Sequence, residues 1–90
     1  MQNQTGAALT VYMIADGQAE AVEFMVDRNT LHCGEPLKKL RLKKNVLVAC
    51  IMHGAQLEIP NGDSSFAQGD TVIVVTGADR VLYRLDDIFE

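Results

Sequence analysis

The sequence predicts a two-layer α+β domain, in which a small four-stranded sheet carries a short helix after its first strand and an amphipathic helix at its C-terminal end. Two apolar runs rich in β-branched residues, Val46 to Met52 and Thr71 to Thr76, have the composition of buried strands. The last part of the chain instead repeats its apolar positions with a helical period. The predicted order of elements is β-α-β-β-β-α, with the helices on one side of the grouped strands.

The N-terminal part contains one undecided segment and one strand. Ala8 to Ala15 (ALTVYMIA) is apolar without a clear period, so helix and strand both remain open. The segment from Glu20 to Asp27 alternates in polarity, which predicts a half-buried strand. Its apolar face consists of Val22, Phe24 and Val26.

A short helix is predicted after this strand. Its entry lies at Gly34 or Glu35, because Pro36 suits a first helical turn, and it carries Leu37 and Leu40 on one side. Five of the eight basic residues crowd this helix and its exit: Lys38, Lys39, Arg41, Lys43 and Lys44. Either a solvated helix face or a contact with an anion would explain this cluster.

Three strands and a final helix complete the prediction. Val46 to Met52 is apolar at every position, as in a strand covered on both faces. Gln56 to Ile59 alternates in polarity, which predicts a strand whose solvent-exposed face carries Gln56 and Glu58. Thr71 to Thr76 is predicted as a central strand. Asp79 would then cap a helix whose apolar stripe comprises Val81, Leu82, Leu85, Ile88 and Phe89.

Composition excludes several classes of protein. Ninety residues suffice for one small domain, and the net charge of -4 argues against general nucleic-acid binding. No apolar run reaches the roughly 20 residues that cross a bilayer. Cys33 and Cys50 lack the spacing of a zinc site or a disulfide framework, so we expect reduced thiols in a cytosolic protein.

The chain shows no catalytic motif. His32 and Cys33 are adjacent, and neighbouring side chains on an extended chain point to opposite faces, which disfavours a nucleophile and base pair. His53 is interpreted as a solvated turn histidine, with ligand contact as the alternative. Gly62 and Gly69 precede a strand rather than a helix, so they are predicted to serve turns with positive φ and not a phosphate loop.

Four segments together resemble a known family. They are GQAEAVEFMV from Gly17, GEPLKKLRL from Gly34, the stretch from Val46 to Val75 with its I-P-x-G-D turn and Gly69-Asp70 pair, and LDDIF near the end. They are similar to the C-terminal domain of TrkA-type proteins, the RCK-C domain of potassium uptake and channel regulators. The resemblance covers Gly17 to Phe89. It divides the chain into residues 1–16, a connecting segment from a missing N-terminal domain, and residues 17–90, the TrkA-C domain.

The resemblance implies a regulatory function and no enzymatic activity. Such domains form homodimers, follow a Rossmann domain that binds NAD(H) or ATP, and couple the ligand state to a membrane-embedded potassium transporter subunit. They hold no cofactor or metal of their own. The implied location is cytoplasmic, peripheral to the inner face of the membrane through the transporter, without direct membrane insertion. The alternative is the same domain attached to another ion transporter or antiporter.

Some members of the family bind cyclic di-AMP between the two copies, near the short helix and the following strand. By that resemblance the candidate ligand-binding residues of this chain are Arg41, Asn45, His53 and Pro60. This chain would then be a sensor of cyclic di-AMP.

Overall fold

A computed structural model describes residues 8–90 as a single five-stranded antiparallel sheet. The strands are β1 (Ala8–Ile14), β2 (Ala19–Met25), β3 (Val46–His53), β4 (Gln56–Glu58) and β5 (Thr71–Gly77), in the spatial order β1-β2-β5-β3-β4. Helical structure within residues 8–90 is limited to three single 3₁₀ turns, at Ala15–Gly17, Leu37–Lys39 and Leu85–Ile88. The predicted α+β class is therefore wrong, since long loops and not helices form the second layer.

The undecided first segment is a strand. β1 pairs antiparallel with β2, so that Val11 lies opposite Val22 and Ile14 opposite Ala19. The chain reverses through Ala15, Asp16 and Gly17, which all have positive φ. A turn of this kind favours residues such as Asp and Gly that tolerate the left-handed region.

One face of the sheet carries the hydrophobic core. The predicted apolar face of β2 is confirmed, because Val22, Phe24 and Val26 are all buried. Val72 and Val74 of β5 lie beside them, as expected for a central strand. The loops that pack on this face cover the core with five apolar side chains: Phe66, Leu82, Leu85, Ile88 and Phe89.

The predicted helix around Leu37 and Leu40 is reduced to the one turn Leu37–Lys39. A longer helix does not form because backbone N–H groups before and within this turn donate to another part of the chain. The N–H groups of Gly34, Leu37 and Lys38 donate to the carbonyl groups of Phe66, Ser64 and Gly62, at 2.8 to 2.9 Å. These donors bind the facing loop, and by Leu40 the backbone is already extended.

The predicted C-terminal amphipathic helix is also wrong. Only Leu85–Ile88 forms a turn, and the backbone is extended at Arg84 before it and at Phe89 after it. Asp86 and Asp87 bind backbone N–H groups here. Asp86 accepts the N–H of Leu31 at 3.0 Å, and Asp87 accepts those of Tyr83 and Arg84 at 2.8 and 2.9 Å. Leu82, Leu85, Ile88 and Phe89 are nevertheless buried, whereas Val81 is exposed.

Candidate functional site

The second face of the sheet is apolar and open to solvent. We call it the outer face; by strand register it comprises Thr10, Tyr12, Ile14, Ala19, Ala21, Glu23, Met25, Leu47, Cys50, Met52, Leu57, Thr71, Ile73, Val75 and Gly77. None of these residues is buried, and Leu47 is 60% exposed. Glu23 is the one charged residue among them. Contiguous apolar surface of this kind marks an interaction site in a soluble protein.

The outer face changes the interpretation of β3. The run Val46 to Met52 predicts a strand covered on both faces, but within residues 8–90 only its core face is covered. Val48 and Ile51 are buried there, while Leu47 is exposed and Cys50 is half-buried on the outer face. A register shift between Val48 and Cys50 keeps both core residues on one side. The apolar sequence is therefore explained only if something else covers the outer face.

β4 also presents its apolar side chains outward. Leu57 of β4 and Ile59 just after it are 56% and 70% exposed, although the alternation assigns the solvent-exposed face to Gln56 and Glu58. Gln56 is exposed as predicted, and Glu58 is half-buried. The register pairs Glu58 with the buried Ile51, which puts Glu58 on the core side of the sheet. There Glu58 has polar partners, His53 and Ser64.

A cleft of about 290 Å³ lies at the edge of β3. β4 pairs only with Ile51, Met52 and His53, so in the part of the chain that the structure describes the first half of β3 has no neighbouring strand on that side. The cleft occupies this space, and its walls are Leu37, Lys38, Leu42, Leu47, Val48, Pro60, Asn61 and Gly62. Its lining is mainly apolar with a few polar groups, as in small-molecule sites, and its volume is near the lower limit of about 300 Å³ for such sites.

In the cleft wall, the backbone of Gly62 lies close to the side chain of Lys38, and this contact, not a positive φ, favours glycine at this position. A Cβ at Gly62 would lie 3.1 Å from Cβ of Lys38. The prediction of a positive φ is thus wrong at Gly62, although it is confirmed at Gly69, where φ is +93°. The close approach lets the Leu37–Lys39 turn and the Asn61–Gly62 loop meet as the two walls of the cleft.

One member of the basic cluster, Lys38, lies in the wall of the cleft. Its Nζ lies 2.7 Å from Oδ1 of Asp63 in a solvent-exposed ion pair. Exposed pairs of this kind contribute little to stability. Lys38 could therefore exchange Asp63 for an anionic ligand at small cost.

The structure brings only one of the four predicted ligand residues into the cleft. Pro60 is part of the wall. The Arg41 side chain is exposed near Glu90, with Nε 3.7 Å from Oε1, and Asn45 is an exposed residue with a φ of 63°. His53 lies between two carboxylates: Nε2 is 2.7 Å from Oε1 of Glu58 and Nδ1 is 2.8 Å from Oδ2 of Asp70. Ligand contact by these four residues stays a prediction.

The sequence predicted an anion contact for Lys38 only as an alternative for the whole basic cluster, and it did not assign Asn61 or Gly62 to a ligand site. The concentration of basic residues near Lys38 was the available signal for the first, and the I-P-x-G-D turn was the signal for the other two. Neither signal shows that the two segments face each other across a cleft.

His32 and Cys33 are directed to different partners. The His32 ring packs edge-on against Phe89 at a centroid distance of 4.6 Å, and its Nδ1 lies 3.1 Å from Oε2 of Glu35. The Cys33 thiol donates to the carbonyl of Thr30 at 3.4 Å. Burial raises the pKa of Cys33, with Asp27, Asp86 and Asp70 adding to the effect. A thiol that is harder to ionise is a weaker nucleophile at neutral pH.

The sequence model of one family, described as the TrkA-C domain, matches residues 21–88. The chain belongs to the TrkA-C domain family. Two similar proteins are a Trk system potassium uptake protein TrkA homolog of Archaeoglobus fulgidus, 31% identical over 82% of this chain, and the Trk system potassium uptake protein TrkA of Mycobacterium tuberculosis, 34% identical over 77%.

This TrkA-C domain spans 17% and 32% of the length of those two relatives. The matched region, residues 21–88, contains the cleft, β3 to β5 and all of β2 except its first two residues, while β1 precedes it. The predicted division at residue 17 stays a prediction. Among residues 8–90 there is no helix with the length and apolar character needed to span a membrane.

Proposed function

We propose that this TrkA-C domain is the dimerising regulatory domain of a potassium uptake protein. In this proposal it acts in the cytoplasm, at the inner face of the membrane, and couples the ligand state of an NAD(H)- or ATP-binding domain to a membrane-embedded transporter subunit. Family membership and the names of the two relatives support the link to potassium uptake. The open, apolar outer face supports the pairing, and it is the observation that carries the proposal.

The size and chemistry of the outer face favour a second copy of the chain as its occupant. Four strands of seven or eight residues and one of three, about 4.8 Å apart with 3.3 Å per residue, give a flat area of roughly 500 Å² per copy. Two copies would bury about 1,000 Å² of this flat area, which is the lower limit expected of a biological interface. The face carries no basic residue and only Glu23 as an acid, so two copies can meet without burying many charges.

The pairing is tested by light scattering and sedimentation of the domain over a range of concentrations. The wild type should have about twice its 9.9 kDa mass. Leu47→Lys should give a monomer, because it would bury an unpaired ammonium group in the interface. The matched control is Leu31→Lys, since Leu31 is 52% exposed in a loop and lies outside the outer face. A monomeric wild type, or a Leu47→Lys dimer, would contradict the proposal.

Potassium uptake is tested by grafting. The domain would replace the matching 71 residues of the Mycobacterium tuberculosis relative, in cells that depend on that protein for growth at low potassium. The wild-type graft and the Leu31→Lys graft should restore uptake, and the Leu47→Lys graft should not. Failure of the wild-type graft, in cells rescued by the original protein, would argue for the alternative transporter or antiporter.

The cleft favours a second function, the binding of an anionic nucleotide. Its apolar walls could hold a base, and Lys38 and the neighbouring basic residues could bind a phosphate group. Leu47 belongs both to the cleft and to the outer face, so a ligand in the cleft would lie beside the proposed dimer interface. A dinucleotide such as cyclic di-AMP could place one half in each cleft of the pair.

Calorimetry with cyclic di-AMP, ATP and NADH tests this binding. Cyclic di-AMP should bind once per dimer, and Lys38→Ala should weaken binding about tenfold, as expected for loss of roughly 1.4 kcal/mol in a charge-assisted contact. Lys44→Ala is the control, because Lys44 belongs to the same basic cluster but does not line the cleft. Equal loss in both variants would indicate non-specific attraction. The same titrations of Arg41, Asn45 and His53 variants test the residues predicted from the family.

A further inference from the structure

The ring of His53, at the end of β3, lies between the carboxylates of Glu58 and Asp70. The two ring nitrogens of His53 lie 2.7 and 2.8 Å from carboxylate oxygens of Glu58 and Asp70, one on each side. A neutral imidazole has one N–H and can donate to only one of them, whereas the imidazolium has two and satisfies both. The geometry therefore favours the protonated ring.

The charged groups that act on His53 come from two elements. β4 contributes Glu58, and the turn before β5 contributes Asp70, whereas Gln56 opposite His53 is neutral. The hydrogen bond with Glu58 raises the pKa of His53 above its usual 6.5 and the charge of Asp70 raises it further, against a smaller opposing effect of burial. A hydrogen bond from Ser64, followed by that from His53, lowers the pKa of Glu58.

Glu58 connects the ring of His53 to the cleft through Ser64. The Ser64 hydroxyl donates to Oε2 of Glu58, and the same hydroxyl oxygen accepts the N–H of Asn61 at 2.9 Å. The Ser64 carbonyl accepts the N–H of Leu37, and the Gly62 carbonyl accepts that of Lys38, both at 2.9 Å. Asn61, Gly62, Leu37 and Lys38 all line the cleft. Two side chains, those of Glu58 and Ser64, thus join the ring of His53 to both cleft walls.

We propose that His53, Glu58 and Ser64 form a proton-controlled link that holds the cleft wall in place. With the ring protonated, Glu58 is fixed between His53 and Ser64, and Ser64 keeps the loop from Asn61 to Ser64 against the Leu37–Lys39 turn. Loss of the proton leaves one N–H for two carboxylates, so the contact with Glu58 is lost whenever that N–H faces Asp70, and the loop then gains freedom. The link rests on the proposed ligand cleft for its role in regulation: a preordered wall loses less freedom on binding, so nucleotide binding should weaken as pH rises.

A pH titration of the ligand-free domain by NMR tests the link. His53 should titrate above pH 6.5, and the amide signals of Asn61, Gly62 and Ser64 should shift with the same midpoint. His32→Gln assigns the ring signals, because the chain has two histidines. A His53 midpoint at or below 6.5, or loop amides that do not respond, would overturn the proposal.

Ser64→Ala removes the middle of the link and leaves the ring contacts of His53 in place. In this variant His53 should still titrate above 6.5, and the amides of Asn61 and Gly62 should no longer follow it. Ser65→Ala, one residue further on, is the matched control and should behave as the wild type. If the loop still follows His53 without the Ser64 hydroxyl, the coupling does not run through this link.

Calorimetry with cyclic di-AMP separates this inference from the proposed ligand site. Measured on either side of the NMR midpoint, the wild type should bind several-fold more weakly on the alkaline side, and His53→Gln should show no such difference. Equal wild-type affinity on both sides would overturn control of binding while leaving the site intact. No binding at any pH, together with a positive NMR titration, would overturn the ligand site and leave the link supported.

Discussion

Two buried threonines differ in what their hydroxyl groups contact. Thr30 is 8% exposed, and its Oγ1 accepts the N–H of Asp27 at 3.0 Å. Thr76 is 1% exposed on the core side of β5, and its Oγ1 has no hydrogen-bond partner among residues 8–90. A buried polar atom without a partner costs free energy, so the hydroxyl of Thr76 should destabilise the fold.

We therefore expect Thr76→Val to leave the thermal midpoint unchanged or raise it, because Val has the same shape and removes the orphan hydroxyl. Thr30→Val is the matched control and should cost about 1 to 3 kcal/mol of unfolding free energy, since it leaves the N–H of Asp27 unpaired. Denaturant unfolding of both variants measures the contrast. A larger loss for Thr76→Val than for Thr30→Val would contradict it.

Gly62 provides a second prediction at the residue scale. Gly62→Ala should destabilise the domain by about 1 to 3 kcal/mol, because the new methyl group overpacks against Cβ of Lys38. Replacing Lys38 with Gly in the same chain should recover part of this loss. Gly69→Ala should also destabilise, by about 1 kcal/mol through its positive φ, and should show no recovery with Lys38→Gly. Additive effects of Gly62→Ala and Lys38→Gly in a double-mutant cycle would refute the close contact.

At the scale of the elements, strands were easier to predict than turns. The alternation of β2 and the β-branched run of β5 depend on burial within one strand, and both predictions are confirmed. The apolar stripe from Leu82 to Phe89 does predict burial, but helical spacing alone cannot show that Asp86 and Asp87 bind the backbone of other residues. Likewise, nothing in the sequence of Gly34 to Lys38 shows that its donors face a loop about 28 residues later.

The candidate site, too, was only partly predictable from the sequence. Pro60 is recognisable from the I-P-x-G-D turn, and it lines the cleft. The cleft itself arises because β4 has three residues and β3 has eight, and strand lengths are poorly defined by sequence patterns. The outer face was visible only indirectly, in the uninterrupted apolar sequence of β3.

A prediction for the sheet concerns Ile51 of β3, whose side chain is fully buried. Ile51→Ala should cost about 2 to 4 kcal/mol, because it removes buried methyl groups and leaves a cavity. Ile59→Ala is the matched control: Ile59 is 70% exposed, and exposed substitutions usually change stability by less than about 0.5 kcal/mol. Equal effects on the denaturation midpoint would disprove the assignment of the core face.

At the scale of the whole molecule, the stability should depend on pH through His53 and Glu58. The folded-state pKa of His53 is raised above 6.5, so its stabilising contribution is complete below 6.5 and is lost as pH rises through the raised value. The folded-state pKa of Glu58 is lowered from 4.5, so its contribution is present above 4.5 and is lost as pH falls through the lowered value. Both contributions are therefore complete between 4.5 and 6.5.

Thermal melting from acid to alkaline pH should show a maximum in that window. His53→Gln should flatten the alkaline side of the profile, and Glu58→Gln should flatten both sides because it also removes the main partner of His53. His32→Gln serves as the control and should retain the alkaline decrease. If His53→Gln shows the same loss of thermal stability at alkaline pH, another titrating group causes that loss.

The strand order has a consequence for how the chain acquires its structure during synthesis. β1 with β2, and β3 with β4, can form as hairpins soon after they leave the ribosome, but β5 pairs with both β2 and β3 and is made after all of them. Isolated hairpins are marginally stable in water, and pairings distant in sequence form slowly. Until β5 emerges, no strand pairing joins the β1-β2 hairpin to the β3-β4 hairpin. Their apolar strands therefore remain exposed, where they can aggregate or bind a chaperone.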